Sequence, residues 1–241
     1  MKASFDATGE VVLITGGAQG IGAALAKAVN AAGGTAVVLD VTAPPEGVGF
    51  LQVDVADRSA VVAAVDEVLG LHGRIDGLVA GAAVQPRSTV LELDAAEWTR
   101  TLQVNLDGVV WACQAVVPHM VKQQAGSVVV FTSGMASSGY PGAAAYAASK
   151  AALVAFAKTL AAEVAADRVR VNVVSPGVID TEQFRGANAG ADREHWQDTI
   201  GIGDPDDVVG PLLFLLSDAA AMTGSVLTRE RAFAKLTSFV E

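Results

Sequence analysis

Tyr146 and Lys150 stand four residues apart in Ala143–Ala166, a stretch rich in alanine and free of glycine and proline. Two helical side chains at that spacing share one face. A phenol with its ordinary pKa of about 10 is a poor base at neutral pH. An ammonium beside it favours the phenolate and lowers that pKa, and proton transfer works best when the pKa lies near the working pH. Ser133 lies thirteen positions upstream, at the end of the apolar run Ser127–Ser133, where it can reach the same pocket. Without further context a Tyr–Lys pair of this kind is also an ordinary surface feature of a helix.

A second group of residues suits phosphate chemistry. The run Val11–Thr15 leads straight into Thr15-Gly16-Gly17-Ala18-Gln19-Gly20-Ile21-Gly22 and then a helical stretch, Gly20–Ala32. Glycines let the backbone turn tightly and approach a ligand, and the helix N-terminus offers unpaired N–H groups to a pyrophosphate. Asp40 closes the next apolar run, 18 residues beyond Gly22. An acidic residue near that spacing hydrogen-bonds the ribose hydroxyls in dinucleotide folds and would repel the extra phosphate of NADP. Val41 and Gly17, where a basic residue would welcome that phosphate, are neutral. Asp40 can also be a plain loop-starting carboxylate. Asp54 can face an adenine amino group or cap a turn.

These residues need a scaffold, and the hydrophobic pattern predicts one. Strands are expected at Val11–Thr15, Thr35–Asp40, Phe50–Asp54, Asp76–Ala80, Ser127–Ser133 and Val169–Val174, with a last one around Thr223–Leu227. Helices are expected at Gly20–Ala32, Ser59–Leu71, Ala95–Gln123 (one long helix or a pair), Ala143–Ala166 and Pro205–Leu216, the last with proline just inside its start. The strands are near-continuous apolar runs, which suit a parallel sheet buried on both faces. Alternation of strand and helix predicts one doubly wound α/β domain, Rossmann-like, with a mostly parallel seven-stranded sheet and its chemistry beyond the carboxyl ends of the strands.

Composition narrows the class. The chain has 241 residues, 51% apolar and 17% charged, which excludes a disordered chain. Its net charge of −10 gives no counterion-release advantage on nucleic acid. The single cysteine, Cys113, cannot pair internally and fits a reducing compartment. There is no apolar signal core at the N-terminus and no apolar run long enough for a membrane span, so a cytoplasmic protein is expected. His72, His119 and His195 lack the spacing of metal ligands, and no metal is expected.

Four motifs in order resemble the short-chain dehydrogenase/reductase family, in its compact single-domain form. They are Thr15-Gly16-x-x-x-Gly20-x-Gly22, Asn105 in the long middle helix, Ser133 with Tyr146-x-x-x-Lys150, and Pro176-Gly177-x-x-x-Thr181 after the sixth strand. The resemblance spans roughly residues 9–228. It implies that Tyr146 is the acid/base, that Lys150 depresses the Tyr146 pKa and binds the nicotinamide ribose, and that Ser133 positions the substrate carbonyl. Asn105 would hold a water linking Lys150 to solvent. Gly16, Gln19, Gly20, Ile21, Gly22, Asp40, Asp54, Val55, Ala82, Tyr146, Lys150, Pro176, Gly177, Ile179 and Thr181 would surround the cofactor, expected to be NAD rather than NADP.

Two places depart from the family pattern. Ala80-Gly81-Ala82-Ala83 stands where Asn-Asn-Ala-Gly is usual, so a polar side chain tying the central strands is missing. Thr228-Arg229-Glu230 replaces the usual Asp-Gly-Gly, and Ala232–Val240 reads as a short helix within an atypical tail, 229–241. The segment 182–203 would be the substrate lid. It is polar, which favours a small polar alcohol or ketone of polyol, sugar or hydroxy-acid type. Gln85, Met135, Tyr140, Phe184 and Trp196 are the candidate pocket residues. The alanine-rich Ala143–Ala166, with the resemblance, implies a homotetramer. The leading expectation is a dehydrogenase interconverting a secondary alcohol and a ketone. The alternatives are a 3-oxoacyl-thioester reductase and, from another class, a non-catalytic dinucleotide sensor.

Overall fold

Short valine-rich runs, each followed by a longer helical stretch, produce the alternation observed in the computed structural model, which describes residues 4–188 and 191–231. The order is β1 (Val11–Thr15), α1 (Gly20–Ala31), β2 (Thr35–Asp40), β3 (Gly49–Gln52), α2 (Arg58–His72), β4 (Gly77–Ala80), α3 (Ala95–Leu102), a π-turn (Gln103–Asp107), α4 (Gly108–Gln123) and β5 (Gly126–Phe131). There follow α5 (Met135–Ser138), α6 (Ala144–Val164), β6 (Val169–Ser175), α7 (Glu182–Ala187), α8 (Ala191–Thr199), α9 (Asp206–Leu216) and β7 (Val226–Thr228). The seven strands form one sheet in the order β3-β2-β1-β4-β5-β6-β7. Every pairing is parallel, from Leu13 opposite Val37 and Leu78 to Val174 opposite Leu227.

Parallel strands covered on both sides must be apolar at every position. Alternate residues feed two separate cores. Leu13, Leu39, Leu78, Val128, Val130 and Val171 pack with the helices α2, α4 and α6. Val12, Ile14, Val38, Val79, Val129 and Val174 pack with α1 and α9. Strand order reverses between β1 and β4, and the crevice there faces the glycine loop.

Several boundaries differ from expectation for local reasons. β3 stops at Gln52, and β5 stops at Phe131, so Ser133 sits two residues past the strand, in the turn to α5. Ala95–Gln123 is one helical run with a π-turn inserted at Gln103–Asp107, around the buried Asn105. Pro205 is at the N-cap of α9 rather than within it. The segment 182–203, expected to be the lid, contains two helices among its described residues, α7 and α8, whose short polar sequences carry little periodicity. The expected helix Ala232–Val240 lies outside the described residues.

The turn after β1 depends on close backbone approach. Gly16 has φ +72°, and a Cβ there would meet the Ala82 Cα and N at 2.6 Å. Gly16→Ala is therefore expected to cost at least about 1 kcal/mol of stability. A urea melt reads this as a lowered midpoint, and an unchanged midpoint would show that the β1 and β4 loops are not in contact.

Candidate active site

The carboxyl ends of β1, β2, β4, β5 and β6 open onto one cavity of about 470 Å³. At one end lies the phosphate-binding geometry. The loop Gly16–Gln19 enters α1 with extended backbone at Gln19 (φ −149°) and no side-chain cap on the helix. The amides of the first turn are thus left for another acceptor. Asp40 reaches into this loop: its Oδ2 accepts the Ala18 N–H at 3.0 Å, and its Oδ1 accepts the Thr42 amide and hydroxyl. Asp40 thus starts its own loop, as one of its two readings expected, and also fixes the glycine loop.

The family-unusual Ala80-Gly81-Ala82-Ala83 keeps a polar tie between the central strands. The Thr15 hydroxyl oxygen accepts the amides of Gly81 and Ala82 at 3.2 and 3.3 Å. Asp54 and Val55 also line the cavity. Burial would raise the Asp54 carboxyl, but the Ala56 amide and the Arg100 guanidinium, 2.8 Å away, together hold it below the usual carboxylate range. The carboxylate that suited an adenine contact is thus already paired, by an arginine from α3 that is 46 residues distant in sequence.

At the other end lie the proton-handling groups. Ser133, Tyr146 and Lys150 line the cavity together, and Ser133 is hydrogen-bonded to the Tyr146 hydroxyl. The Lys150 ammonium is 3% exposed. It donates to the Phe131 carbonyl at 3.1 Å and lies 5.8 Å from the Tyr146 ring centroid. Burial pushes its pKa down from 10.5 to about 8. The Tyr146 phenol lies above its ordinary value: burial raises it, and the Ser133 hydrogen bond and the Arg87 charge oppose that rise. The expected depression by Lys150 is therefore absent here, because desolvation of the phenolate outweighs the charges that reach it.

Asn105 is fully buried and spends its side chain on protein. Its Oδ1 accepts the Val84 N–H at 2.8 Å, and its Nδ2 donates to the Val84 carbonyl and the Ser149 hydroxyl. Ser149 in turn donates to the Tyr146 carbonyl at 2.7 Å. In this structure Asn105 acts as a brace from the β4 loop to the Tyr146 turn, with no side-chain donor left for the expected water.

Gln85, Met135 and Phe184 stand in the cavity wall, whereas Tyr140 and Trp196 do not. Those two rings stack on each other with centroids 5.1 Å apart. Gln19, Gly20, Ile21, Gly22, Ala82, Pro176, Gly177, Ile179 and Thr181 all line the cavity as expected. The residues missed by sequence reasoning are Arg100, Ser149 and Arg87. Each acts through a partner distant in sequence or through the main chain; Arg87 and Arg100 sit in no motif, and Ser149 is an unspecified position of Tyr146-x-x-x-Lys150.

The geometry tests whether a dinucleotide fits. A Cβ at Gly22 would stand 2.4 Å from the Gly16 carbonyl oxygen, so the loop is folded as tightly as a pyrophosphate cradle requires. A phosphate cradle at one end and a half-buried tyrosine beside a buried lysine at the other define a dinucleotide-dependent oxidoreductase. The model of the short chain dehydrogenase family matches residues 10–192, and the chain belongs to that family. It is 33% identical over 235 residues to a 3-oxoacyl-[acyl-carrier-protein] reductase of Chlamydia pneumoniae, covering 91% of this chain and 94% of that one. It is 37% identical over 235 residues to the D-threitol dehydrogenase of Mycolicibacterium smegmatis, covering 90% of each. The ligand-free aldohexose dehydrogenase of Thermoplasma acidophilum superposes with a TM-score of 0.84 at 30% identity, over 93% of this chain and 92% of that one. Members of this family use nicotinamide dinucleotides, and the protein is an oxidoreductase acting between alcohol and ketone. No helix among the described residues is long and apolar enough to cross a membrane.

Burial of Lys150 has a thermodynamic signature. The unfolded chain keeps the proton up to about pH 10.5, whereas the folded chain releases it near 8. Stability thus rises with pH across that window, and the charged ammonium opposes folding below it. Lys150→Met is expected to raise stability at pH 7 by on the order of 1–3 kcal/mol, with the gain gone by about pH 10.5. Denaturant melts across that range test this; no gain at pH 7 would show that the ammonium is not desolvated.

Proposed function

We propose that the protein is an NAD-linked dehydrogenase of small, polar secondary alcohols. The observation that carries the NAD assignment is Asp40, whose carboxylate sits at the end of β2 and against the glycine loop. A negative charge there favours ribose hydroxyls and repels a phosphate. A bound nicotinamide would supply the hydride acceptor or donor for the carbinol carbon. Tyr146 exchanges the proton with the substrate oxygen, and Ser133 holds that oxygen by a hydrogen bond. Lys150 binds the nicotinamide ribose and keeps a positive charge beside the phenol. Asn105 serves the proton path through the β4 loop and the Tyr146 turn that it braces.

The polar lid, 182–203, supports a substrate of polyol, sugar or hydroxy-acid type, and the relatives named for threitol and aldohexose oxidation favour the same reading. The chlamydial relative favours a second reading, reduction of a 3-oxoacyl thioester. Asp40 weighs against it where NADPH is the donor. The reading treats residues 1–241 as one dinucleotide-binding and catalytic unit that acts as a cytoplasmic homotetramer. The exposed alanines of α6, Ala151 and Ala155, suit close helix packing between subunits.

Two measurements test the proposal. Tyr146→Phe is expected to lower kcat at least about 1,000-fold with cofactor binding unchanged; near-normal turnover would remove Tyr146 from the reaction. Paired fluorescence titrations should show NADH binding more tightly than NADPH, and Asp40→Asn should shrink that difference roughly tenfold. Equal binding of the two cofactors by the unaltered protein would move the thioester reductase to first place.

A further inference from the structure

Arg87 lies in the segment between β4 and α3, outside the motifs that define the family. Its Nε donates to the Ala187 carbonyl at 3.3 Å, and its Nη2 donates to Asn188 Oδ1 at 2.6 Å. The guanidinium carbon stands 4.8 Å from the Tyr140 ring centroid. All these partners are uncharged, and no carboxylate among the described residues pairs with Arg87. Its Nη1 is shut off from solvent and has no acceptor among the described residues. A buried donor on a charged group is seldom left unpaired, because its lost hydration has to be replaced.

The position of Arg87 says what would replace it. Gln85, two residues ahead, lines the cavity, and so does Phe184, whose carbonyl accepts the Asn188 amide. Arg87 thus joins the β4 loop to the lid one step behind the wall on both sides. Its positive charge is also felt at the Tyr146 hydroxyl, so the guanidinium lies near the reacting end of the cavity, just outside the wall that Gln85 and Phe184 form. We propose that Arg87 holds the carboxylate of the substrate, and that the alcohols oxidised are short hydroxy acids. This rests on the dehydrogenase reading and narrows it from polar alcohols to anionic ones. A carboxylate fits better than a phosphate dianion, for which one leftover amino group is too few donors. A small lid movement that frees Nη1 would admit it, and Asn188 would remain bound through Nη2.

The test sets lactate, β-hydroxybutyrate and γ-hydroxyvalerate each beside its methyl ester, with glycerol phosphate as a further probe. Binding is read by tryptophan quenching with NADH present, and turnover by NAD reduction. The unaltered enzyme should bind and oxidise at least one acid in preference to its ester. Arg87→Gln should lower kcat/KM for that acid roughly 10- to 100-fold and for the ester less than about threefold. Arg87→Lys, which keeps the charge, should recover part of the loss. Equal losses for acid and ester in Arg87→Gln would reduce Arg87 to a lid clamp and overturn the proposal. So would equal binding of acid and ester, binding of neither, or a preference for glycerol phosphate. Arg87-dependent binding of the acids with no turnover would uphold the anion site and refute the dehydrogenase reading; oxidation of the esters without preference for the acids would do the reverse.

Discussion

A buried ammonium with a carbonyl for its partner is the constraint around which the catalytic end of this molecule is arranged. Among the described residues Lys150 has no carboxylate paired with it, and the Phe131 carbonyl that receives its hydrogen bond is the last of β5. That acceptor is fixed only because β5 lies in the middle of the sheet, paired on both sides. The Lys150 carbonyl accepts the Thr132 hydroxyl at 2.9 Å, which ties α6 to the same strand end. The phenol four residues earlier inherits its position from this anchorage, and Ser133, the residue after Thr132, inherits its own.

The second brace runs through Asn105. A π-turn widens the long helix at this residue and presents its amide to the main chain at Val84 and to Ser149. One side chain therefore couples three parts of the site: the cofactor-side loop after β4, the α3–α4 helix and the turn carrying Tyr146. Rare helix geometry of this kind is common where function demands it. With Thr15 bonded to the amides of Gly81 and Ala82, the β4 loop is held from both ends, although it lacks the asparagines usual in this family.

The strands and most helices were legible in the sequence because burial on both faces forces unbroken apolar runs, and covering helices force a longer repeat. The glycine loop, Asp40, Ser133, Tyr146 and Lys150 were legible because a fixed spacing on fixed elements is itself the signal. Arg87, Arg100 and Ser149 were not. An arginine in a loop (Arg87) or on a short polar helix (Arg100) carries no signal of its own, and its meaning comes from Asn188 or Asp54, brought near by folding. The direction of the Tyr146 shift was also misjudged, since spacing reports a neighbouring charge but not the loss of water around the phenol. Tyr140 and Trp196, expected in the pocket, stack together rather than facing the cavity.

The all-parallel sheet has a consequence for how the chain reaches this state. Among the described residues no strand pairs with its neighbour through a tight hairpin. Leu13 of β1 must find Leu78 of β4, 65 residues on, before the centre of the sheet exists. Pairings this distant carry a loop-closure cost ahead of any reward, so folding is slow compared with helical or hairpin-rich proteins of equal size. During that interval the valine runs that later fill two cores are uncovered and prone to pair between chains. Low temperature and low concentration during synthesis or refolding therefore favour the yield of this protein more than any added stability of the finished fold.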